Sequence, residues 1–201
     1  MSKVRIAVFV SGGGTNLGAL IKAHNKGILS SGEIALVLSN KRSAYALTRA
    51  KNAGIPTEVV IRAEEGGQEG FERKIKSLLD QYKIDIIVLA GFMTILSEQF
   101  TSAYPERIIN VHPSLIPAFC GQGYYGLKVH EEALARGVKV TGATVHFVNE
   151  IPDGGKIIMQ KAVAVKEGDT AEILQQRVMR LAEWVILPRA VQEVCKNIKG
   201  E

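Results

Sequence analysis

The first half of the chain alternates between runs that predict buried strands and runs that predict amphipathic helices. Residues 4–10 are apolar almost throughout, which is typical of a parallel strand covered on both faces. Residues 71–82 carry apolar side chains at helical spacing. Successive strand–helix units fold into a parallel, doubly wound sheet with right-handed crossovers. This alternation therefore constrains the chain to an α/β fold.

The other predicted elements complete a Rossmann-like, mostly parallel sheet flanked by helices. Further strands are predicted over residues 34–38, 57–61, 84–90 and 108–111, and further helices over residues 16–24 and 44–53. Two long β-type runs, 138–148 and 157–165, then predict a C-terminal antiparallel β extension. A final long helix begins at Asp169-Thr170, and Pro188 is expected to kink or divide it. Its predicted inward face carries Ile173, Leu174, Val178, Leu181 and Val185.

Composition restricts the class of protein. A length of 201 residues with 46% apolar content suits a single domain, residues 1–201, with a substantial core. We expect neither a membrane span, which needs roughly 18 consecutive apolar residues, nor a signal peptide. Cys120 and Cys195 stand in no metal-binding spacing, so we expect free thiols in a reducing cytoplasm.

The net charge of +5 favours anionic partners. The scattered basic residues support a nucleic-acid surface only weakly, and a small phosphorylated or carboxylated substrate fits the charge equally well.

A glycine-rich turn follows the first strand and opens the first helix. It consists of Ser11-Gly12-Gly13-Gly14-Thr15-Asn16. Glycines let the backbone approach an anion, and the free amides at a helix start favour negative charge. The turn has Leu17 where a dinucleotide fingerprint has its third glycine, and it lacks the lysine of a P-loop. It therefore predicts a phosphate cradle, with a turn needed only for tight strand–helix geometry as the alternative.

Asn110 and His112 lie two residues apart at the end of the fifth predicted strand, before Pro113. Side chains at positions i and i+2 of a strand point to the same side, and open α/β sheets bind ligands at the carboxyl ends of their strands. An isolated Asp153 follows between the last two strands, where its carboxylate could orient and charge the imidazole. Taken alone, Asn-x-His-Pro is equally well explained as a polar strand end that enters a turn.

An apolar string and two further histidines are more ambiguous. Residues 91–96 stay largely apolar past the end of the fourth strand, which is consistent with a wall for a flat heterocycle, with core packing as the alternative. His146 shares a strand face with Thr144 and is expected to be a hydrogen-bonded core residue. His130 begins a helix and could lie at the surface or in a pocket. Because no Cys or carboxylate completes a ligand set with these histidines, we predict no metal site.

An ordered set of motifs gives the chain a family resemblance. The set consists of Ser-Gly-Gly-Gly-Thr-Asn-Leu from Ser11, then Ser39-Asn40-Lys41, Leu89-Ala90-Gly91-Phe92-Met93, Ile109-Asn110-Val111-His112-Pro113-Ser114-Leu115-Ile116-Pro117, Val145-His146-Phe147-Val148 and Asp153-Gly154-Gly155. From Val4 to about Ala190 the chain resembles the phosphoribosylglycinamide formyltransferases, the folate-dependent enzymes of purine synthesis. Each motif alone is weak evidence, but their order is highly specific.

The resemblance implies transfer of a formyl group from 10-formyltetrahydrofolate to the amine of glycinamide ribonucleotide. It implies a catalytic set of Asn110, His112 and Asp153, in which Asn110 and a protonated His112 stabilise the oxyanion and Asp153 raises the pKa of His112. Ribonucleotide binding is implied for Gly14, Thr15, Asn16 and Glu183. Folate binding is implied for Gln68, Met93, Thr94, Ile95, Leu96 and Asn110, with the loop 149–153 closing over the pterin. The phosphate-binding half is then residues 1–100, the catalytic and folate-binding half residues 101–201, and the protein a monomer or homodimer.

The chain also departs from the pattern that it resembles. Thr94 stands where many members have a basic residue, and an arginine of some members is replaced around Gln68. The segment 119–130 is longer than in better-known members, and Cys120 occupies a position that is lysine in some. These changes concern the folate contacts and the rim of the site.

Three other functions compete with this interpretation. Methionyl-tRNA formyltransferase and formyltetrahydrofolate hydrolase share the Asn-x-His and Asp set, but we would expect a tRNA-binding domain in the first and a regulatory domain in the second. A non-catalytic nucleotide-binding module would keep residues 12–16 without any reason to combine Asn110, His112 and Asp153. The phosphate loop favours the ribonucleotide substrate.

Overall fold

A computed structural model describes residues 2–200. Among these residues the strands are β1 Val4–Val10, β2 Gly32–Ser39, β3 Thr57–Val59, β4 Ile86–Leu89, β5 Ile108–His112, β6 Val140–Phe147 and β7 Ile157–Ala164. The helices are α1 Thr15–Asn25, α2 Tyr45–Asn52, α3 Gln68–Gln81, α4 Glu98–Ser102, α5 Lys128–Ala135, α6 Ala171–Val178 and α7 Trp184–Lys199. A π-helical turn, Met179–Glu183, joins α6 directly to α7.

The strands form a seven-stranded sheet of order β3-β2-β1-β4-β5-β6-β7. The first five strands of the chain run parallel, whereas β6 and β7 pair antiparallel with their neighbours. The predicted mostly parallel sheet with a C-terminal antiparallel extension is therefore confirmed. The strand order reverses between β1 and β4, and ligands of open α/β sheets bind at such a switch point, outside the carboxyl ends of the strands.

Two apolar layers cover the two faces of the sheet. Ile6, Val8 and Val10 of β1 belong to the layer that packs against α1 and α7. Ala7 and Phe9 belong to the layer that packs against α3. All five are fully buried, because helices cover both faces. This two-sided burial explains why β1 is a nearly continuous apolar run, interrupted only by Arg5, rather than an alternating one.

The last helical segment differs from its prediction. Leu174 and Val178 are buried as expected, but Ile173 is 49% and Leu181 is 52% exposed. Ile173 precedes the inward Leu174 by one position and is therefore about 100° away from it around the helix. Leu181 lies in the π turn, whose wider winding breaks the 3.6-residue period on which the prediction depends. Pro188 lies inside α7 and does not divide it, so the irregularity is the π turn that precedes the proline.

Candidate functional site

The carboxyl end of β5 brings polar side chains from two strands together. Asn110 and His112 occupy positions i and i+2 of β5 and share a face. In the antiparallel pair of β5 and β6, His146 lies opposite Asn110, and Thr144 lies opposite His112. Residues directly opposite each other in such a pair have neighbouring side chains. His112, Thr144 and His146 are almost fully buried, so this polar group is largely shielded from solvent.

Asp153 joins this group from the loop between β6 and β7. Its Oδ2 lies 3.4 Å from His112 Nδ1 and accepts a hydrogen bond of 2.9 Å from the Gly121 amide. Its Oδ1 lies 3.5 Å from His146 Nε2. Asp153 has a left-handed backbone with φ of 57°, a conformation that aspartate adopts more readily than most residues. The fold thus brings a distant carboxylate into contact with both histidines.

His146 links Asn110 to Asp153. Its Nδ1 lies 2.7 Å from the Phe147 carbonyl oxygen, so Nδ1 carries the proton when the ring is neutral. Nε2 is then an acceptor for the Asn110 side-chain amide, and the distance from Asn110 Nδ2 to His146 Nε2 is 3.3 Å. This contact uses one amide hydrogen of Asn110 and leaves the second available to a ligand.

His112 is closed off by the segment that follows β5. Its Nε2 lies 2.8 Å from the Phe119 carbonyl oxygen, and only 4% of the residue is exposed. Phe119 has φ of 51°, and a left-handed backbone costs a residue with a side chain about 1–2 kcal/mol. Both imidazole nitrogens of His112 therefore face oxygen atoms, one from the Asp153 carboxylate and one from a strained backbone segment.

Burial determines the protonation of His112 more strongly than its carboxylate neighbour does. Burial lowers the pKa of His112 below its ordinary value, and the opposing effects of Asp153 and the Phe119 carbonyl do not compensate. Asp153 by itself raises the pKa of His112, as expected, but the pKa is lowered overall, so the protonated imidazole that the resemblance implies is not favoured in this structure. Burial also raises the pKa of Asp153, but the proximity of His146 and His112 and the hydrogen bond from the Gly121 amide together lower that pKa by more. At neutral pH the pair is a neutral imidazole beside a carboxylate.

The turn between β1 and α1 has the geometry of an anion site. Gly14 precedes α1 with φ of 69° and no side-chain cap, so the first amides of the helix have no capping side chain. Thr15 is exposed at the first helical position. Asn16 Nδ2 donates a hydrogen bond of 2.8 Å to Glu183 Oε2, which brings two predicted ribonucleotide contacts together. The Asn16 Oδ1 atom is buried and has no partner within residues 2–200, and burial raises the pKa of Glu183.

The string after β4 forms an exposed apolar edge beside that turn. The Met93 amide donates a hydrogen bond of 2.8 Å to Ser11 Oγ, which ties the loop after β4 to the loop after β1. Met93 and Ile95 are 53% and 76% exposed, an arrangement typical of a surface that contacts a ligand or a partner. Leu96, by contrast, packs in the core. The predicted apolar wall is thus exposed at two of its positions and buried at the third.

Gln68 and Thr94 hold this edge in place. Gln68 Nε2 donates to the Ile95 carbonyl at 3.1 Å and to Glu72 Oε1 at 2.6 Å. Thr94 Oγ1 accepts a hydrogen bond of 2.8 Å from Asn40 Nδ2. Both side chains already have protein partners, so in this structure they fix the shape of the apolar edge.

His130 and the two cysteines lie apart from any metal-binding arrangement. His130 of α5 is fully buried, and neither of its ring nitrogens has a partner in the described part of the chain. Burial and the nearby His112 lower the pKa of His130 to about 4. Cys120 and Cys195 are free thiols. Across residues 2–200, no group of three or more His, Cys, Asp or Glu side chains could hold a metal ion, and no helix is long and apolar enough to cross a membrane.

His146 is the member of this group that was expected to be a hydrogen-bonded core residue. One feature of the sequence could have indicated its place in the site, since His146 and Thr144 lie on the same face of their strand. If β6 paired antiparallel with β5, that face would point toward Asn110 and His112. The register of this pair depends on the long connection 113–139. The sequence pattern does not specify the path of that connection, so the contact between His146 and Asn110 was not predictable.

Known proteins resemble the chain in both sequence and structure. A family model described as formyl transferase matches residues 4–191. The chain is 39% identical over 188 residues to phosphoribosylglycinamide formyltransferase of Escherichia coli K12, which covers 94% of this chain and 85% of that protein. The crystal structure of glycinamide ribonucleotide transformylase 1 from Symbiobacterium toebii matches with a TM-score of 0.90 at 39% identity, over 97% of this chain and 89% of that chain.

A longer relative contains a similar region. The human trifunctional purine biosynthetic protein adenosine-3 is 46% identical over 195 residues, which is 97% of this chain. This chain spans only 19% of the length of that protein and of its chicken and bovine counterparts. The matches to the bacterial enzymes, in contrast, cover most of both partners, and the family model matches residues 4–191 of this chain. The chain therefore belongs to the formyl transferase family and, within it, to the phosphoribosylglycinamide formyltransferases.

Proposed function

We propose that the protein transfers the formyl group of 10-formyltetrahydrofolate to the amine of glycinamide ribonucleotide, a step of de novo purine biosynthesis, in the cytoplasm. The observation that carries the proposal is the cluster of amide, imidazole and carboxylate at the end of β5, where His112 Nδ1 lies 3.4 Å from Asp153 Oδ2. The cluster shares one edge of the sheet with a helix start suited to phosphate and an apolar edge suited to a pterin. The names of the bacterial relatives support the same reaction.

Each substrate has its own part of this edge in the proposal. The phosphate of the ribonucleotide binds at the start of α1, on the amides that follow Gly14. Asn16 Oδ1, which is buried without a partner among residues 2–200, accepts from a ribose hydroxyl, since an unpaired buried acceptor is costly. The pterin packs against Met93 and Ile95. The loop 149–153, which carries Asp153, closes over it.

The chemical step needs one donor for an oxyanion and one group that moves a proton. The amine nitrogen attacks the formyl carbon, a carbon–nitrogen bond forms, and the carbonyl oxygen becomes an oxyanion. Asn110 donates to this oxyanion with the amide hydrogen that His146 does not use. The intermediate then collapses as the bond between the carbon and N10 of the folate breaks. The amine loses one proton and N10 gains one, so the step releases no net proton.

A neutral His112 is suited to carry that proton. It accepts the proton from the attacking amine, and Asp153 stabilises the resulting imidazolium at the observed distance of 3.4 Å. The imidazolium then returns the proton to N10, directly or through water. The Phe119 carbonyl oxygen lies 2.8 Å from His112 Nε2, so the neutral ring carries its proton on Nε2 in this structure. Binding of the formyl donor must displace segment 118–121, and the ring proton must move to Nδ1, which faces Asp153, before Nε2 can accept a proton from the amine.

Consumption of 10-formyltetrahydrofolate, followed with and without glycinamide ribonucleotide, tests the proposal. We expect consumption only when the ribonucleotide is present. Consumption at the same rate without it would identify a hydrolase, which passes the formyl group to water. No consumption in either case would indicate a binding module without catalytic activity.

Two variants test the assignment of His112 and Asp153. We expect His112→Ala and Asp153→Ala to fold normally but to lower turnover by about 100-fold or more, the usual scale for loss of a group that acts on the transition state. Asp80→Ala, which removes an exposed carboxylate from α3, is the matched control and should keep normal turnover. Near-normal turnover of either site variant, with circular dichroism unchanged, would contradict the assignment.

A further inference from the structure

A cavity of about 550 Å³ lies beside α1, between this helix and the segment formed by the π turn and the start of α7. Its volume is in the range of small-molecule sites, about 300–1,000 Å³. The lining includes five basic side chains and no acidic one: Lys22, Lys26, Arg49, Arg180 and Arg189. A concave surface lined by charges of one sign concentrates ligands of the opposite sign.

Most of these cations are not used by the protein itself. Arg49 donates to the Gly13 carbonyl at 2.8 Å. The other four have no hydrogen bond or ion pair with any residue from 2 to 200. Lys22 and Lys26 also suit the negative end of the α1 dipole. That role does not explain Arg180 and Arg189, which come from the opposite wall.

The ribonucleotide phosphate proposed above does not explain the charge either. One phosphate carries about −1.5 to −2 charges, and at the start of α1 it would lie near Thr15. Lys22 and Lys26 lie about 10 Å and 16 Å farther along the helix axis, which rises about 1.5 Å per residue. Lys22 and Lys26 are therefore too far from this phosphate to contact it. They remain available to a ligand whose negative charges extend farther along the cavity than a single phosphate does.

The rest of the lining is suited to a flat ring. Trp184, Pro188 and Ile28 contribute apolar surface, and Ile28 is 49% exposed although it is a large apolar residue. The Trp184 indole nitrogen is buried and has no hydrogen-bond partner in the described chain. We propose that the cavity binds an organic polyphosphate of the nucleoside triphosphate class. Its phosphates lie along Lys22, Lys26 and Arg189, and its ring lies against Trp184.

The proposed ligand would interfere with the ribonucleotide, because Thr15 lines the cavity and also begins the phosphate-binding helix. Only this competition with the ribonucleotide depends on the proposed function. Binding itself can be measured without ribonucleotide or folate, so its failure and a failure of the formyl transfer assay are distinguishable.

The single tryptophan of the chain makes the binding test direct. Trp184 is the only tryptophan, so its fluorescence reports on this cavity alone. Titration with ATP, in the absence of divalent cations, should give a saturable change in fluorescence, and calorimetry should give the same Kd. Salt should weaken binding, because the exposed cations are screened. A signal that never saturates, or no binding by calorimetry, would overturn the proposal.

Charge variants locate the ligand. We expect Lys22→Glu combined with Arg189→Glu to raise the Kd for ATP by about tenfold or more, since each reversed contact changes attraction into repulsion. The matched control is Lys74→Glu combined with Lys139→Glu, which changes two exposed lysines elsewhere and should leave the Kd unchanged. The milder Lys26→Gln should weaken binding in the same direction and covers the case in which the double variant does not fold.

The outcomes separate the parts of the proposal. An equal Kd for the native protein, the cavity variant and the control would show that ATP binds elsewhere and would overturn the proposed site. Inorganic triphosphate should bind more weakly than ATP. Equal binding of the two would overturn the assignment of the ring to Trp184.

Discussion

At the scale of single residues, the orientation of the Asn110 amide depends on one nitrogen atom of His146. His146 Nε2 lies 3.3 Å from Asn110 Nδ2, and the ring is fixed by the contact of its Nδ1 with the Phe147 carbonyl at 2.7 Å. A donor that is already held in position needs little reorganisation when the oxyanion develops. We therefore expect His146 to be a positioning residue, which acts through Asn110 and does not touch the substrates.

Substitution of His146 separates positioning from packing. His146→Phe removes the acceptor for Asn110 and should lower kcat by about tenfold or more, less than the roughly 100-fold or greater loss expected when the oxyanion donor itself is removed. The KM for the ribonucleotide should change little, because its phosphate binds at α1. His146→Gln retains a hydrogen-bonding oxygen and should restore part of kcat. Equal losses in both variants, accompanied only by a lower Tm, would show that His146 serves packing alone.

The distance along the chain explains which members of the site could be predicted. Asn110 and His112 could be paired from the sequence because the two-residue repeat of a strand is local. The contacts of Asp153 with His112 and His146 depend on the path of a loop and on the β5–β6 register, and neither is a local property. The protonated state expected for His112 is wrong for a related reason, although Asp153 raises its pKa as predicted. The sequence indicates a carboxylate partner but not the burial that outweighs it.

At the scale of the secondary-structure elements, the start of α1 is defined by a close approach between two helices. Gly14 has φ of 69°, and a Cβ atom at this position would lie 2.6 Å from the Cβ of Ala46 in α2. No side chain fits there without movement of one helix. The glycine in the predicted phosphate cradle is thus required for packing as well as for backbone conformation.

Gly27 provides a matched control for Gly14 at the other end of α1. Gly27 has φ of 72°, and a Cβ atom there would have no neighbour within 4 Å. Both Gly→Ala changes incur the cost of a left-handed backbone, about 1–2 kcal/mol, but only Gly14→Ala also displaces α2. We expect urea unfolding to show the larger loss of stability for Gly14→Ala, and the KM for the ribonucleotide to rise only in this variant. An equal rise in KM for Gly27→Ala would contradict the role of the helix start.

The helices and strands were predictable wherever their apolar side chains recur at a regular spacing. Strands such as β1 are nearly continuous apolar runs because both faces are covered, and their alternation with helices along the chain implies the parallel sheet. The sequence pattern does not predict the π turn Met179–Glu183. A π turn contains one residue more than a turn of α-helix, and in the sequence this shows only as an interruption of the 3.6-residue spacing of apolar side chains. Leu181 therefore faces outward, and Glu183 turns inward to meet Asn16.

At the scale of the whole molecule, the sheet gathers groups from the entire chain at one edge. The loops after β1, β4 and β5 meet there because these strands are adjacent and parallel. Asp153 and Glu183 arrive from the antiparallel extension and from the last helical segment. The location of the site at the carboxyl ends of these strands was therefore predictable from the strand topology. The burial of a side chain there, such as that of His112, was not, because it depends on how the complete molecule packs.

His130 should make the stability of the folded protein depend on pH. An unfolded histidine titrates near 6.5, whereas burial and the neighbouring His112 lower the pKa of His130 to about 4 in the folded state. Between these two values the unfolded chain binds a proton that the folded chain lacks, so the free energy of unfolding falls as the pH falls. The loss should approach about 3 kcal/mol near pH 4, since each unit of pKa difference corresponds to about 1.4 kcal/mol. His130→Leu should remove this part of the slope.

Urea unfolding of the native protein and of His130→Leu, at a series of pH values from about 7 to 4, measures that difference. Part of the slope should persist in His130→Leu, because the pKa of His112 is also lowered and acts in the same direction. Asp153 and Asp169 have pKa values below the ordinary value of 3.8, so the stability that they contribute is lost only at more acidic pH. Parallel stability curves for the two proteins between neutral pH and pH 4 would mean that the folded protein admits a proton to His130 without a free-energy cost. This result would contradict a fully buried imidazole that has no partner among residues 2–200 and lies beside the proposed catalytic cluster.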